Sequence, residues 1–232
     1  MSSMSRAVRL FSDLVSREDS AISLPAAALA VAAVAYPELD LRASLAELEM
    51  MRAEAQVLVR ANPGRDKLEL LHELFFDRLG FAANRGDYYD PKNSFLNDVL
   101  QRRVGIPITL AVIFIDLGNA MGLSIEGVGF PGHFLVRELE HGRILDVFGG
   151  GRELVEADCK RLLAKQGIAG QWRDEFLDGV ARRQMLSRML NNLRRHYADG
   201  DEGSAGAAGA VEEMVAILDG LEDDAWRGLP IQ

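Results

Sequence analysis

The sequence has one cysteine, Cys159, in 232 residues. A single thiol cannot close an internal disulfide or build a multi-cysteine zinc site, which suits a reducing compartment. An excess of positive charge is missing too: 26 Lys and Arg stand against 35 Asp and Glu, a net charge of −9. Such a surface repels phosphate backbones, so nucleic acid is not an expected partner. The local exception is Arg182, Arg183, Arg188, Arg194 and Arg195, whose spacing reads as the solvated face of an amphipathic helix. No apolar run is long enough for a bilayer, which needs roughly 20 residues. The best candidate, residues 21–36, is Ala-rich, contains Pro25 and reads as a buried helix instead. Residues 1–19 hold no apolar core followed by a small-residue cleavage site, so no signal peptide is expected. The expected location is therefore the cytoplasm, with no membrane association.

Metal and cofactor signatures are equally scarce. His72, His133, His141 and His196 are scattered, and no HExxH spacing exists. Gly149-Gly150-Gly151 lacks the Lys-Ser/Thr that completes a phosphate loop. It reads instead as a place for positive φ and close backbone approach. No metal and no cofactor are expected.

What is present is ample for a core: 48% of the residues are hydrophobic. At about 100–200 residues per domain, the length suggests one large domain, alone or with an appendage. Residues 5–80 carry helical spacing, with Ser23 and Pro25 at the start of one helix and Pro37 after its end at Tyr36. Leu45, Leu48, Met51, Ala55, Leu58 and Val59 mark a second helix, and Leu68, Leu71, Leu74, Phe75 and Leu79 a third. After the loop FAANRGDYYDPKN, Asn93 or Ser94 can cap a helix over residues 95–103 that Gly105 ends. Pro107 then opens ITLAVIFIDLGNAMG, apolar around nearly its whole circumference and so expected to be central and buried.

The period then changes. Residues 124–137 and 143–148 read as two β segments around a Glu140-His141-Gly142 turn. An odd-summed, unbulged register would put His133 and Asp146 on one face, near each other. Residues 156–166 and 173–197 return to helix, 198–209 reads as a linker, and 211–221 as a last helix. A buried helix, then a His, then an Asp is the order in which a thiol hydrolase supplies its helix-start nucleophile, its base and the group that orients the base.

The runs YYDPKNSFLNDVLQRRVGIPITLAVIF, GVGFPGHFLVR and ILDVFGGG resemble the bacterial SirB-type transglutaminase-like family, in which a transglutaminase-like core precedes tetratricopeptide-like helices. The resemblance runs from about Phe11 to Tyr197. It implies an α+β fold: a transglutaminase-like (cysteine-proteinase-like) core with a small antiparallel sheet against a central buried helix. N-terminal helices (1–87) would precede this core (88–170), and a C-terminal helical appendage (171–232) would follow it.

The superfamily opens its central helix with Gly-x-Cys. Laying Gly105-Ile106-Pro107 on that pattern puts Pro107 at the nucleophile position, while the His and Asp fall on His133 and Asp146. Proline carries no nucleophile, and Cys159 lies beyond the strands. The pair then reads as the remnant of a triad. Thr109, two residues into the helix, is the alternative nucleophile, although it faces about 200 degrees away from position 107. Tyr88, Tyr89, Asn93, Asn97, Pro107 and Gly132 are candidates for the rim of the cleft. The implied function is non-catalytic: regulation, or binding of a protein or peptide partner. The alternative is a hydrolase or acyltransferase using His133, Asp146 and a non-cysteine nucleophile. A structural partner in a larger assembly is a third reading.

Overall fold

A computed structural model describes residues 4–168, 170–198 and 205–221. Six helices precede the main sheet: α1 (Arg6–Val15), α2 (Leu24–Ala32), α3 (Leu41–Ala61), α4 (Lys67–His72), α5 (Leu96–Arg102) and α6 (Pro107–Ala120). Their ends follow from local chemistry. The Ser5 hydroxyl accepts from the Val8 N–H, the Asp40 carboxylate from Arg42 and Ala43, and Asp66 from Leu68 and Glu69. Helix α2 carries Pro25 in its first turn as expected, but it stops at Ala32, and residues 33–35 are turn rather than helix. Helix α4 continues into a π-helical stretch, Glu73–Arg78, which turns Phe75 inwards. Neither Asn93 nor Ser94 caps α5; Phe95 occupies that position without a side-chain bond. The helix ends in Arg103, which adopts the left-handed φ of 59° itself, so Gly105 is not its stop. Ala82–Ala83 (β1) and Val104–Gly105 (β2) pair in parallel and tie the preceding loop to the start of α6.

Helix α6 is buried along most of its length, from Pro107 to Gly118. A helix apolar on all sides must be covered on all sides. Here α2, α3, α4 and α5 pack on it, and the sheet closes the rest. Gly118 permits the close approach: a Cβ there would lie 2.4 Å from Cδ1 of Ile125.

The sheet contains β3 (Ile125–Val128), β4 (Leu135–Glu138), β5 (Arg143–Asp146), β6 (Arg152–Leu154) and β7 (Gly179–Val180), all antiparallel, in the order β6-β5-β4-β3-β7. Two readings of the sequence change here. Residues 124–137 are not one strand but a hairpin, broken at Pro131 and Gly132. Proline has no N–H for a ladder, and Gly132 has φ +66°. Residues 173–197 are not one helix: Asp174–Leu177 is a 3-10 turn, Gly179–Val180 extends the sheet, and α8 (Arg182–Ala198) starts only then.

Helix α7 (Glu156–Lys165) covers a satellite core around Phe130, Leu163 and Cys159. The last helix, α9 (Ala205–Leu221), begins six residues before Val211, because the alanines of AGAAGA sustain a helix despite their glycines. Of the linker expected over 198–209, residues 199–204 lie outside the described residues. Met185, Leu186, Met189, Leu190 and Leu193 of α8 and Val211, Met214 and Leu218 of α9 belong to the same buried cluster as α1, α2 and α6. Helices α8 and α9 thus share one buried cluster with the N-terminal helices and α6. No described helix is long and apolar enough to cross a membrane.

Candidate functional site

Strands β4 and β5 pair Val136 with Leu145, Arg137 with Ile144 and Glu138 with Arg143, an odd-summed register without a bulge. It brings together the two residues that the sequence singled out. Nε2 of His133 lies 2.8 Å from Oδ1 of Asp146. Asp146 closes β5, whereas His133 sits on the turn before β4 rather than on a strand. The turn is held by its own backbone, with the His133 N–H donating to the Phe130 carbonyl at 3.0 Å. With Nε2–H donated to Asp146, the imidazole keeps Nδ1 as its free nitrogen.

The glycine run serves this pair. The Gly149 N–H donates to Oδ1 of Asp146 at 2.8 Å, and a Cβ on Gly149 would lie 2.5 Å from the other carboxylate oxygen. Gly150 and Gly151 both have positive φ. His72, which the sequence left as an isolated helix residue, bonds the Gly150 carbonyl through Nε2 at 2.9 Å. Phe148 packs edge-on against the His133 ring with centroids 6.1 Å apart, and Tyr88 against Phe148 at 5.8 Å.

Burial would raise the pKa of Asp146, but the His133 hydrogen bond and charge, the Gly149 N–H and Arg152 outweigh it and hold it below its ordinary value. A depressed carboxyl stabilises the fold above its unfolded pKa, and that contribution is lost as pH falls through the folded value. Asp146→Asn is therefore expected to lower stability by about 1.5–3 kcal/mol at pH 7, the range for a hydrogen bond to a charged group. The difference from the parent should vanish at a pH below the ordinary carboxylate range. Urea midpoints at both pH values check this, and a difference independent of pH would refute it.

A cleft of about 110 Å³ lies in front of His133. One wall is the start of α6, with Ile106, Pro107 and Ile108; Gly132, His133 and Phe134 form a second; Tyr88 stands at the edge. The third wall, Arg188, Asn191, Asn192 and Arg195 of α8, was not singled out in the sequence as part of a site. Those residues lie more than fifty positions beyond His133, and helical spacing alone does not tell a solvated face from a cleft wall. The reading of the arginine cluster as one solvated face needs correction. Arg182 and Arg183 bind Asp19 and the carbonyls of Ile22 and Val15, and Arg194 pairs with Glu212. Arg188 is half-buried, and its Nη2 donates to the carbonyls of Phe130 (3.2 Å) and His133 (3.0 Å).

Of the expected rim, Tyr88, Pro107 and Gly132 line the cleft, and Tyr89, Asn93 and Asn97 do not. Tyr89 is 90% exposed beside it. Asn93 is fully buried and staples its own loop: Nδ2 donates to the carbonyls of Asp87 and Tyr88, and Oδ1 accepts from Asn84. Asn97 leaves Oδ1 buried and unpartnered among the described residues. Thr109 is fully buried, outside the cleft wall; its hydroxyl donates to the Asn93 carbonyl at 2.8 Å and accepts from the Ile106 N–H at 3.2 Å. Cys159 is buried in α7, and burial followed by the charge of Asp158 pushes its thiol pKa up. Glu138, Glu140 and His141 bring ligand atoms within 4.8 Å of one another. The Glu138 carboxylate there already accepts from the N–H groups of Glu140 and His141 and from Arg143, which makes it a turn cap.

Comparison with known proteins agrees with this geometry. Residues 42–191 match the family model described as the transglutaminase-like superfamily. A "UPF0162 protein" of Xylella fastidiosa strain Temecula1 is 35% identical over 231 residues, covering 95% of this chain and 81% of its own. A "UPF0162 protein" of Vibrio cholerae is 34% identical over 188 residues, 78% of this chain and 69% of the relative. Human F-box only protein 21 is 31% identical over 157 residues, 63% of this chain but 24% of that longer protein. No solved structure gives a significant match.

Proposed function

The chain belongs to the transglutaminase-like superfamily, and we propose that it is a non-catalytic member whose cleft binds a protein or peptide partner in a regulatory role. One observation carries this reading: Pro107 stands at the helix start facing the same cleft as His133. The superfamily pattern places its nucleophile there, where the helix dipole favours a thiolate. The base and its orienting carboxylate are in place, yet the side chain they would activate is a pyrrolidine ring. The environment of the two remaining candidates supports this reading. The Thr109 hydroxyl is sealed and bonded on both sides, and Cys159 is buried with a raised pKa. The pair then works structurally, pinning the Phe130–His133 turn to the end of β5. That the same region forms about a quarter of a longer human protein fits a module used for contacts.

The test is an assay of the purified chain for transamidation, peptide hydrolysis and ester hydrolysis, beside His133→Ala. The expected result is no turnover above the variant in any assay. Activity that disappears in His133→Ala and survives Cys159→Ser would establish the alternative, a hydrolase or acyltransferase with another nucleophile or an activated water.

A further inference from the structure

Helix α8 presents two arginines to the cleft, Arg188 and, two turns on, Arg195. Among the described residues neither has a carboxylate within ion-pair distance. Other partly buried arginines of this chain do: Arg52 with Asp116, Arg102 with Asp90, and Arg143 with Asp66 and Glu138. Arg188 uses Nη2 on two carbonyls and lies 5.4 Å over the Phe134 ring, while Nε and Nη1 have no acceptor among the described residues. Its pKa is lowered by burial and then by the like charge of Arg195. A cation partly withdrawn from water, beside a second cation and without a counter-charge, costs stability. An anion entering the cleft removes that cost.

The rest of the cleft narrows the choice of anion. Asn192 makes no hydrogen bond among the described side chains, and Asn191 keeps Nδ2 free while Oδ1 accepts from Arg194. Two amides beside two guanidinium groups suit a carboxylate and an adjoining peptide bond. The cleft lining also includes Ile106, Pro107, Ile108 and Phe134, apolar surface that suits methylenes. A cleft of about 110 Å³ has room for a side chain of glutamyl size. Tyr88 at the edge and the exposed Tyr89 beside it offer aromatic surface to flanking residues, the residue type that anchors interfaces.

We infer that the cleft binds a carboxylate side chain of an acidic peptide segment, with Arg188 and Arg195 holding the charge and Asn191 and Asn192 the neighbouring amide. The inference rests on the cleft being a binding site, and it names the occupant. The net charge of −9 makes the site selective: an acidic segment is repelled by most of the surface and attracted here.

Fluorescence anisotropy of the full chain with a fluorescein-labelled hexaglutamate, amidated at its C-terminus, tests it at physiological salt. Saturable binding is expected, with hexaglutamine not binding. Arg195→Gln, at an exposed position, should weaken binding about tenfold, as losing one charge-assisted contact does. Arg188→Gln should weaken it more, with circular dichroism checking the fold. Arg60→Gln, which removes an exposed charge at the end of α3 outside the cleft lining, should leave affinity unchanged. The inference is overturned if hexaglutamine binds as well, if Arg60→Gln and Arg195→Gln weaken binding equally, or if inorganic phosphate binds more tightly than the peptide. Mass spectrometry of the recovered peptide separates the two proposals. A cleaved or modified peptide sinks the non-catalytic reading and leaves the ligand class standing, whereas absent binding sinks only the ligand class.

Discussion

Pro107→Cys is expected to place a reactive thiol in the cleft. The new side chain stands at the first position of α6, facing the cleft that His133 lines. The substitution is mild for the backbone, because an N–H at the first helical position has no intrahelical partner in any case. A helix N-terminus and a neighbouring imidazole lower a thiol pKa from about 8.5 into the range of roughly 3.5–7.5. At pH 6.5 an ordinary thiol is about 1% ionised, and one lowered to about 6.5 is half ionised. Lower nucleophilicity at lower pKa offsets part of that gain, leaving alkylation about tenfold faster than for an ordinary thiol. The measurement is iodoacetamide labelling followed by mass spectrometry, in a Cys159→Ser background so that one thiol is read. His133→Ala should return the rate to that of an ordinary thiol. The parent protein should label slowly, since its only thiol is buried with a raised pKa. A Pro107→Cys thiol that labels no faster than a free cysteine would show that His133 and the helix start no longer form an activating site.

Phe75→Ala should produce the largest loss of stability. Phe75 is fully buried in the π-helical stretch after α4, stacked on Phe81 at 4.7 Å and edge-on to Phe76 and Phe114 at 4.9 and 5.2 Å. It joins three segments: the end of α4, the loop entering β1 and the middle of α6. Removing the ring loses its transfer free energy and leaves a cavity between elements that cannot all close upon it, a cost of about 3–5 kcal/mol. For a chain of this size that corresponds to a Tm lowered by roughly 6–20 °C. Thermal unfolding followed by circular dichroism reads it. Phe75→Leu, which keeps most of the volume, should recover much of the difference. A drop of a degree or two for the alanine variant would mean that the aromatic cluster does not tie these segments together.

The central helix was legible because its composition has one physical solution. Fourteen residues apolar around nearly the whole circumference, opened by Pro107, read as a helix wrapped by other elements. The His133–Asp146 pairing was legible on the condition of an odd-summed register, which β4 and β5 adopt, although His133 itself lies on the turn before β4. The errors have equally local causes. Residues 124–137 are largely apolar, and hydrophobicity alone could not show that Pro131 and Gly132 break them into a hairpin. Asn93 is a residue type that caps helices, and nothing beside it in the chain shows that its side chain turns inwards to hold the loop.

Sequence alone therefore determined what depends on neighbours in the chain. It set the buried helix and the absence of a thiol at the start of that helix, and it singled out His133 and Asp146 as a pair. Tertiary structure decided what depends on distant parts meeting: that α8 and α9 join the common core, and that Arg188 reaches the His133 carbonyl. It also decided that Arg188 and Arg195 are left without a carboxylate among the described residues. Periodicity reports which face of a helix is polar, but whether that face meets water or another wall is settled only when residues more than fifty positions apart are packed together.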